Sequence, residues 1–398
     1  MKPIKEAYIV AATRSPVGKS GRGALRNTRP DDLLGYALKH VLTQVPTLDP
    51  AAIEDAIIGC AMPEAQQGLN IARQALLFGG LPNTVGGVTI NRFCSSGLNA
   101  IAMAADRIRV GEADVMIAGG VESMSMVPMG GNTPSLSPSI FLSDENIGLA
   151  YGMGLTAEKV AQQWKVSRED QDAFALASHQ KAIAAQTAGE FADELFSVKL
   201  ANRSMDLARG EVALQWSEFS KDEGPRHDTS LAALGKLKSP FAYGGSVTAG
   251  NSSQTSDGAG ALILASEDAI KTFGLTPLAR FVSFAVRGVP PEIMGIGPKE
   301  AIPAVLKKAG LSLQDIDWIE LNEAFAAQAL AVIRDLQLNS SKVNPLGGAI
   351  ALGHPLGATG ALRAATALHA LQRRNLRYAM VTMCVGMGMG AAGLFERC

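Results

Sequence analysis

Cys94, Asn322, His354 and Cys384 are the side chains of this sequence whose types could together carry covalent chemistry at a carbonyl carbon. Cys94 lies in VTINRFCSSGLNAIA, residues 88–102, where an extended apolar run breaks at Asn91-Arg92-Phe93 and turns through Cys-Ser-Ser-Gly. Leu98, Ile101, Ala102, Ala105 and Ile108 recur at three- and four-residue spacing, which predicts a helix immediately afterwards. Ser95 and Ser96 are of the types that cap helix N-termini, so Cys94 is expected at or just before the first turn. Free backbone N–H groups and the helix dipole there favour a thiolate over a thiol, and they can hold an oxyanion. A lone cysteine is more often a small buried hydrophobe, so the weight rests on its partners.

Three partners come from the far end of the chain. NEAFA puts Asn322 and Glu323 at the end of an expected strand, Trp318–Leu321, where open α/β sheets place their ligands. GHPLGATG puts His354 in a glycine-rich turn before a helix, the place Cys94 holds earlier in the chain. MCVGMGMG sets Cys384 just after a buried strand, among glycines that let backbone N–H groups approach a ligand. Singly, each has an ordinary reading: a surface histidine, a helix cap, a buried cysteine. His40, His179, His227 and His369 sit in such ordinary helical or polar contexts. Together, a Cys and a His are an activated-nucleophile pair. A second thiol suits proton transfer at the carbon beside a carbonyl, the step that making or breaking a carbon–carbon bond requires.

Strands alternating with helices must position these groups. Tyr8–Ala12 reads as a first strand, Asp31 to Gln44 as a helix, Asp55–Cys60 as a buried strand and Asn70 to Phe78 as a second helix. The Cys94 element and a strand at Val115–Gly119 follow, which implies an α/β fold with parallel pairing. The programme then repeats. ARFVSFAVRG, from Ala279, matches the opening strand, and PKEAIPAVLKKAGLSLQDIDWIELNEA matches ALKHVLTQVPTLDPAAIEDAIIGCA. GGAIALGHPLGATGALRAATALHAL repeats turn-then-helix, and YAMVTMCVGMGMG repeats ADVMIAGGVESM. Two similar halves with equivalent loops facing one another are therefore expected. From Glu122 to about Gly245 the alternation breaks, with methionines, a Ser/Pro/Gly/Asn patch and a helix over Ser167–Ala188, which reads as an excursion covering the site. VTAGNSSQTSDGAGALILAS, from Val247, returns to the core with a strand at Ala261–Leu264.

Composition bounds the class. The chain has 398 residues, 47% hydrophobic and 18% charged, with 42 glycines, which fits a large, tightly packed α/β enzyme. A net charge of -1 with no basic tract argues against a nucleic-acid role. The four cysteines show no CxxC spacing, so neither a metal site nor a disulfide framework is indicated, and a reducing compartment is expected. Met1-Lys-Pro-Ile-Lys leads almost directly into AYIVAA, and Phe-Glu-Arg-Cys at the other end is not a peroxisomal SKL-type address. No apolar run reaches the length of a membrane span, and a cytoplasmic protein is the expectation.

NRFCSSGLNAI, NEAFA, GGAIALGHPLGATG and CVGMGMGAAG, with AATRSPVGK and GGVESMS, resemble the motifs of the thiolases, the acetyl-CoA acyltransferases. The resemblance spans nearly the whole chain in order and spacing. It implies the thiolase fold: two βαβαβαββ halves forming a five-layered αβαβα core, plus an inserted loop domain. The halves would be residues 1–121 with 247–272, and 273–398, with the loop domain at 122–246. It also implies roles. Cys94 would attack a 3-ketoacyl-CoA and hold the shortened acyl group as a thioester. His354 would activate Cys94 and, with a water held by Asn322, bind the thioester oxygen, with Glu323 in support. Cys384 would protonate the departing acetyl-CoA carbanion, and backbone N–H groups of Cys94 and Gly386 would form a second oxyanion hole.

Coenzyme A is implied as substrate rather than as a tightly bound cofactor. By resemblance, Ser253, Ala249 and Gly250 meet the pantetheine, Arg226 lies near the adenine, and Phe241, Met153, Met294 and Phe325 line the pantetheine and acyl tunnel. A homodimer or homotetramer is implied, and in some degradative members a larger hydratase/dehydrogenase subunit joins. Two departures from the short-chain acetoacetyl-CoA enzymes matter: Met387 and Met389 in the final glycine run, and Gly152 where those enzymes carry a His. Both resemble the degradative class of fatty-acid β-oxidation, with the short-chain, condensing activity as the alternative. Ketosynthase-type enzymes share the architecture but use a single Cys, and Cys384 argues against them. A non-catalytic CoA- or lipid-binding homologue would have no need of all four side chains.

Overall fold

The computed structural model describes residues 4–206 and 208–398. Residues 1–3, part of the stretch read as lacking a leader, lie outside the described residues. From the first half come β1 (Tyr8–Arg14), β2 (Gly18–Lys19), α1 (Pro30–Thr43), β3 (Asp55–Gly59), α2 (Ile71–Phe78), β4 (Val88–Ile90), α3 (Ser96–Arg109) and β5 (Val115–Ser123). The excursion holds α4 (Met153–Gln163), α5 (Arg168–Thr187), β6 (Val198–Asp206), β7 (Glu211–Phe219) and α6 (Leu231–Gly235), and β8 (Ser256–Ala265) and α7 (Glu267–Phe273) return. The second half runs β9 (Ala279–Gly288), α8 (Gly297–Ala309), β10 (Trp318–Leu321), α9 (Ala326–Asp335), α10 (Ala349–Leu352), α11 (Thr359–Arg373), β11 (Tyr378–Val385) and β12 (Met389–Arg397).

Local chemistry explains where these elements start. Asn70 accepts a hydrogen bond from the Arg73 N–H to open α2, and Ser167 accepts from Asp170 N–H at 3.1 Å to open α5. Ser266 caps α7 in the same way, and Gly274, at φ 61°, ends it in the left-handed conformation glycine tolerates.

The pairing repeats as the sequence does. In the first half the order is β4-β3-β5-β8-β1, with β3 parallel to β4 and β5, and β8 antiparallel to β5 and β1. In the second half the order is β10-β11-β12-β9, with β10 parallel to β11 and β12 antiparallel to both neighbours. A single parallel bridge, Ile319 to Val343, stands where β3–β4 pairing stands in the first half. The halves join where β1 pairs with β9, at Tyr8–Arg280 and Ile9–Ala279, so their strands run as one ten-stranded sheet.

Three apolar cores separate five layers. α1 and α2 pack on one side of the first sheet through Leu33, Leu34, Leu38, Ile71 and Leu76. α8 and α9 pack on the far side of the second sheet through Ile302, Val305 and Val332. Between the sheets, α3 and α11 share a core with Ile9, Ile57, Met116, Phe281, Trp318 and Phe395. Those central helices touch backbone to backbone: a Cβ on Gly360 would sit 2.1 Å from the Leu98 nitrogen, and one on Gly97 2.8 Å from the Ala361 nitrogen. Glycine at both positions draws the turns ahead of the two helices together.

One feature departs from the alternating plan. β6 and β7 form a separate two-stranded ribbon whose Val212, Leu214 and Trp216 alternate along one face yet stand exposed. That alternation is the period-2 signature of a strand, although the face it makes meets solvent rather than a core.

Candidate active site

Cys94 occupies a tight turn, Phe93–Ser95, between β4 and α3. Phe93 holds φ at 44°, a strained value for a bulky residue, and it aims the following side chain inward. The serines do not cap α3 as expected. Ser96 Oγ accepts from Arg92 N–H (2.8 Å) and donates to the Phe93 carbonyl (2.7 Å), while Ser95 Oγ donates to the Arg92 carbonyl (3.2 Å). Both brace the turn that carries Cys94. The resting thiolate is also corrected: burial pushes the Cys94 thiol up to about 12, against the pull of the Gly386 and Cys94 backbone N–H groups. Dehydration outweighs the favourable dipoles.

His354 follows α10 through Gly353, at φ 94°, where a Cβ would meet Ser256 Oγ at 2.5 Å. Its N–H donates to Ser256 Oγ at 3.1 Å. Thr359 Oγ donates to the Pro355 carbonyl (2.9 Å), so it accepts from His354 Nδ1 at 2.6 Å. That places the ring proton on Nδ1 and leaves Nε2 as the basic nitrogen. The Asn322 amide Nδ2 donates to Nε2 at 3.3 Å. Burial, then the nearby Arg363 charge, lowers the His354 pKa to about 3, so the ring is neutral. Among the described residues no hydrogen bond joins the Cys94 thiol to this ring. The Asn322 Oδ1 is buried without a hydrogen-bond partner among them.

Behind Asn322, Glu323 accepts from Ser178 Oγ (2.7 Å), Asn344 Nδ2 (2.9 Å) and Ile350 N–H (3.2 Å), tying β10, α5 and α10 together. Cys384 lies near the end of β11, paired with Gly390, and burial and then the neighbouring Cys94 raise its thiol. Past it, Gly386, Met387 and Gly388 make the turn into β12, with Met387 at φ 63°.

Cys94, His354, Cys384, Gly386, Ser253, Phe241, Met153, Met294 and Phe325 line one cavity of about 510 Å³. Ala249, Gly250 and Arg226 line a second, of about 210 Å³, and Gln254 borders both. Asn322 and Glu323 stand one step behind the wall. Three contributors escaped the sequence reading. Thr359 sets the His354 tautomer from within the GHPLGATG motif. Phe93 carries the strain beside the nucleophile candidate. Glu122, in the quoted GGVESMS, clamps the halves together: its buried carboxylate accepts from Ala61 N–H (2.8 Å), Gln67 Nε2 (2.7 Å) and, across the halves, Gly357 N–H (2.7 Å). Among the described residues no His/Cys/Asp/Glu group could hold a metal ion, and no helix is long and apolar enough to cross a membrane.

A doubled α/β fold with a Cys turn facing a His turn, and a second thiol beside them, defines a class of enzymes that transfer acyl groups through a cysteine. Residues 7–268 match the family "Thiolase, N-terminal domain" and residues 275–397 match "Thiolase, C-terminal domain". The chain is 51% identical over 395 residues to a 3-ketoacyl-CoA thiolase of Bacillus subtilis, covering 99% of this chain and 100% of that one. It is 48% identical over 410 residues to a beta-ketoadipyl-CoA thiolase of Escherichia coli, covering 99% and 100%. Human mitochondrial 3-ketoacyl-CoA thiolase, in a crystal structure with CoA, superposes with a TM-score of 0.87 at 39% identity, covering 99% and 98%. The chain belongs to the thiolase family of acyltransferases.

Proposed function

We propose that the protein catalyses reversible thiolytic cleavage of 3-ketoacyl-CoA by CoA, as in fatty-acid β-oxidation, with Cys94 as nucleophile. His354 Nε2 takes the Cys94 proton, and the sulfur adds to the 3-keto carbon. The bond between C2 and C3 then breaks, leaving the acyl group on Cys94 as a thioester and its electron pair on the acetyl-CoA enolate. Cys384 gives that carbon its proton, and acetyl-CoA departs. The Cys384 thiolate takes the proton of an incoming CoA thiol, whose sulfur attacks the thioester; the shortened acyl-CoA leaves, and Cys94 regains its proton from the His354 imidazolium. In the roles proposed, the imidazolium of His354 and a water on Asn322 hold the thioester oxygen, and the N–H groups of Cys94 and Gly386 hold the other oxyanion.

One observation carries this reading: two thiols, one neutral imidazole and a backbone N–H converge on a single cavity that adjoins the Arg226 cavity at Gln254. The pair of cavities suits CoA as substrate, with its nucleotide at Arg226, His179 and Asp228, and its pantetheine passing Ala249, Gly250 and Ser253. Residues 122–246 act in this reading as a loop domain over the site. Gly152 favours the degradative class over the short-chain one, because it lines the cavity and a Cβ there would meet nothing within 4 Å. Thiolysis of a 3-ketoacyl-CoA series from four carbons to about sixteen is the test, with Cys94→Ala and Cys384→Ala alongside. Cleavage beyond four carbons that both variants lose supports the proposal; reaction of acetoacetyl-CoA alone would make it a short-chain acetyltransferase.

The same reading includes a homo-oligomer in the cytoplasm. β4 ends the sheet with Val88 exposed, and Leu77 and Phe78 of α2 and the nearby Leu69 are exposed as well. An uncovered sheet edge with apolar neighbours suits association with a second copy. Light scattering on the purified chain checks it. Four free cysteines suit a reducing compartment.

A further inference from the structure

Relatives of nearly equal identity bear names for two kinds of acyl chain, one of them ending in a free carboxylate, so family membership does not choose between them. The cavity wall does. Its lining includes Met62, Met124, Met129, Leu136, Leu149 and Met387, all of them apolar. Among the described residues that line this cavity none is Lys or Arg. A lysine does touch the lining from outside: Lys159 lies 5.6 Å over the Tyr151 ring.

Two carboxylates, Glu64 and Glu292, brace the outer wall. That wall is the irregular segment 129–150, and it is held at two points by carboxylates. Glu64 accepts from the Asn132 backbone N–H and from its Nδ2 (2.8 Å), and a Cβ on Gly131 would touch the same carboxylate. At the other end Gly148 packs against Glu292, whose Oε2 lies 3.0 Å from where a Cβ would be. A carboxylate at the end of an acyl chain would therefore leave water for a thioether wall and meet anions at its rim. Burying an unpaired charge in such a place is strongly unfavourable, whereas methionines adapt to alkyl chains of varied shape.

Building on the thiolase reading of this site, we infer that the acyl end of the cavity takes uncharged alkyl chains and discriminates against acyl chains that end in a carboxylate. The test compares kcat/KM for thiolysis of 3-ketohexanoyl-CoA and 3-ketoadipyl-CoA, which match in length and differ by a methyl against a carboxylate. Leu136→Arg and Met129→Arg are measured in parallel. A preference of about tenfold or more for the alkyl chain, narrowed in at least one arginine variant, is expected. A smaller preference, a reversed one, or a ratio that neither arginine moves overturns the inference while leaving thiolysis in place. Cleavage of neither substrate overturns the thiolase reading and this inference with it.

Discussion

The turn before α3 and the turn before α11 are the same device built twice, and they differ in what burial does to the residue each presents. Both precede a central helix, both reach one cavity, and both present a buried side chain. In the first, dehydration pushes a thiol up to about 12; in the second it pulls an imidazole down to about 3. Each resists its charged form, so the resting pair is a neutral thiol and a neutral ring. The ion pair of an activated nucleophile must then be formed with the substrate in place, where developing charge finds its donors. A repeated fold supplies the position, and residue type with burial supplies the role.

Removing the two residues should break the comparison most severely. Cys94→Ala is expected to lower thiolysis on the order of 10⁴-fold or more, with no acyl-enzyme seen by mass spectrometry. Loss of a general base is smaller: His354→Ala should cost roughly 10²- to 10⁴-fold in kcat while leaving a folded protein by circular dichroism. The contact that brings the turns together can be forced apart. In Gly360→Ala the new Cβ collides with the Leu98 backbone nitrogen, and chemical denaturation should report a loss of roughly 1–3 kcal/mol, or more if the helices cannot separate.

Acid should act on the second turn alone. His354 binds its proton near the usual 6.5 when unfolded but only near 3 when folded. Its contribution is thus complete above about pH 6.5 and is lost as pH falls toward 3, by up to ~1.4 kcal/mol per unit. Denaturation curves at several pH values should show a slope that His354→Gln removes. The finest adjustment concerns the ring proton. Thr359→Val takes away the acceptor at Nδ1 and should lower kcat by about tenfold through the wrong tautomer, with Thr359→Ser restoring it. Equal loss in both variants would make Thr359 a packing residue only.

How much of this was legible beforehand follows from range. Periodicity placed β10 and β9 at their observed limits and α2 and α5 within a residue or two, because each is decided by its own apolar pattern and caps. The doubling of the fold and the four reactive side chains were equally open, since both are written in residue types and their order. Hidden were the things that depend on how the folded chain meets itself. Ser95 and Ser96 looked like caps because capping is a local habit, yet the strained Phe93 turn gave them backbone partners on its other side. A thiolate at Cys94 followed from the helix alone; the second half, by burying it, made the thiol neutral. The Thr359 contact that sets the tautomer and the Glu122 clamp to Gly357 needed side chains and backbone to meet in space.

Sequence by itself therefore determined which groups the chain brings to its chemistry and the repeated plan that carries them. Tertiary structure alone decided their charge states, the tautomer and the shape of the wall the acyl group meets. Those depend on removal from water and on contacts made in space, some within one turn, as His354 with Thr359, and some between residues hundreds of positions apart, as Glu122 with Gly357, which no local pattern records.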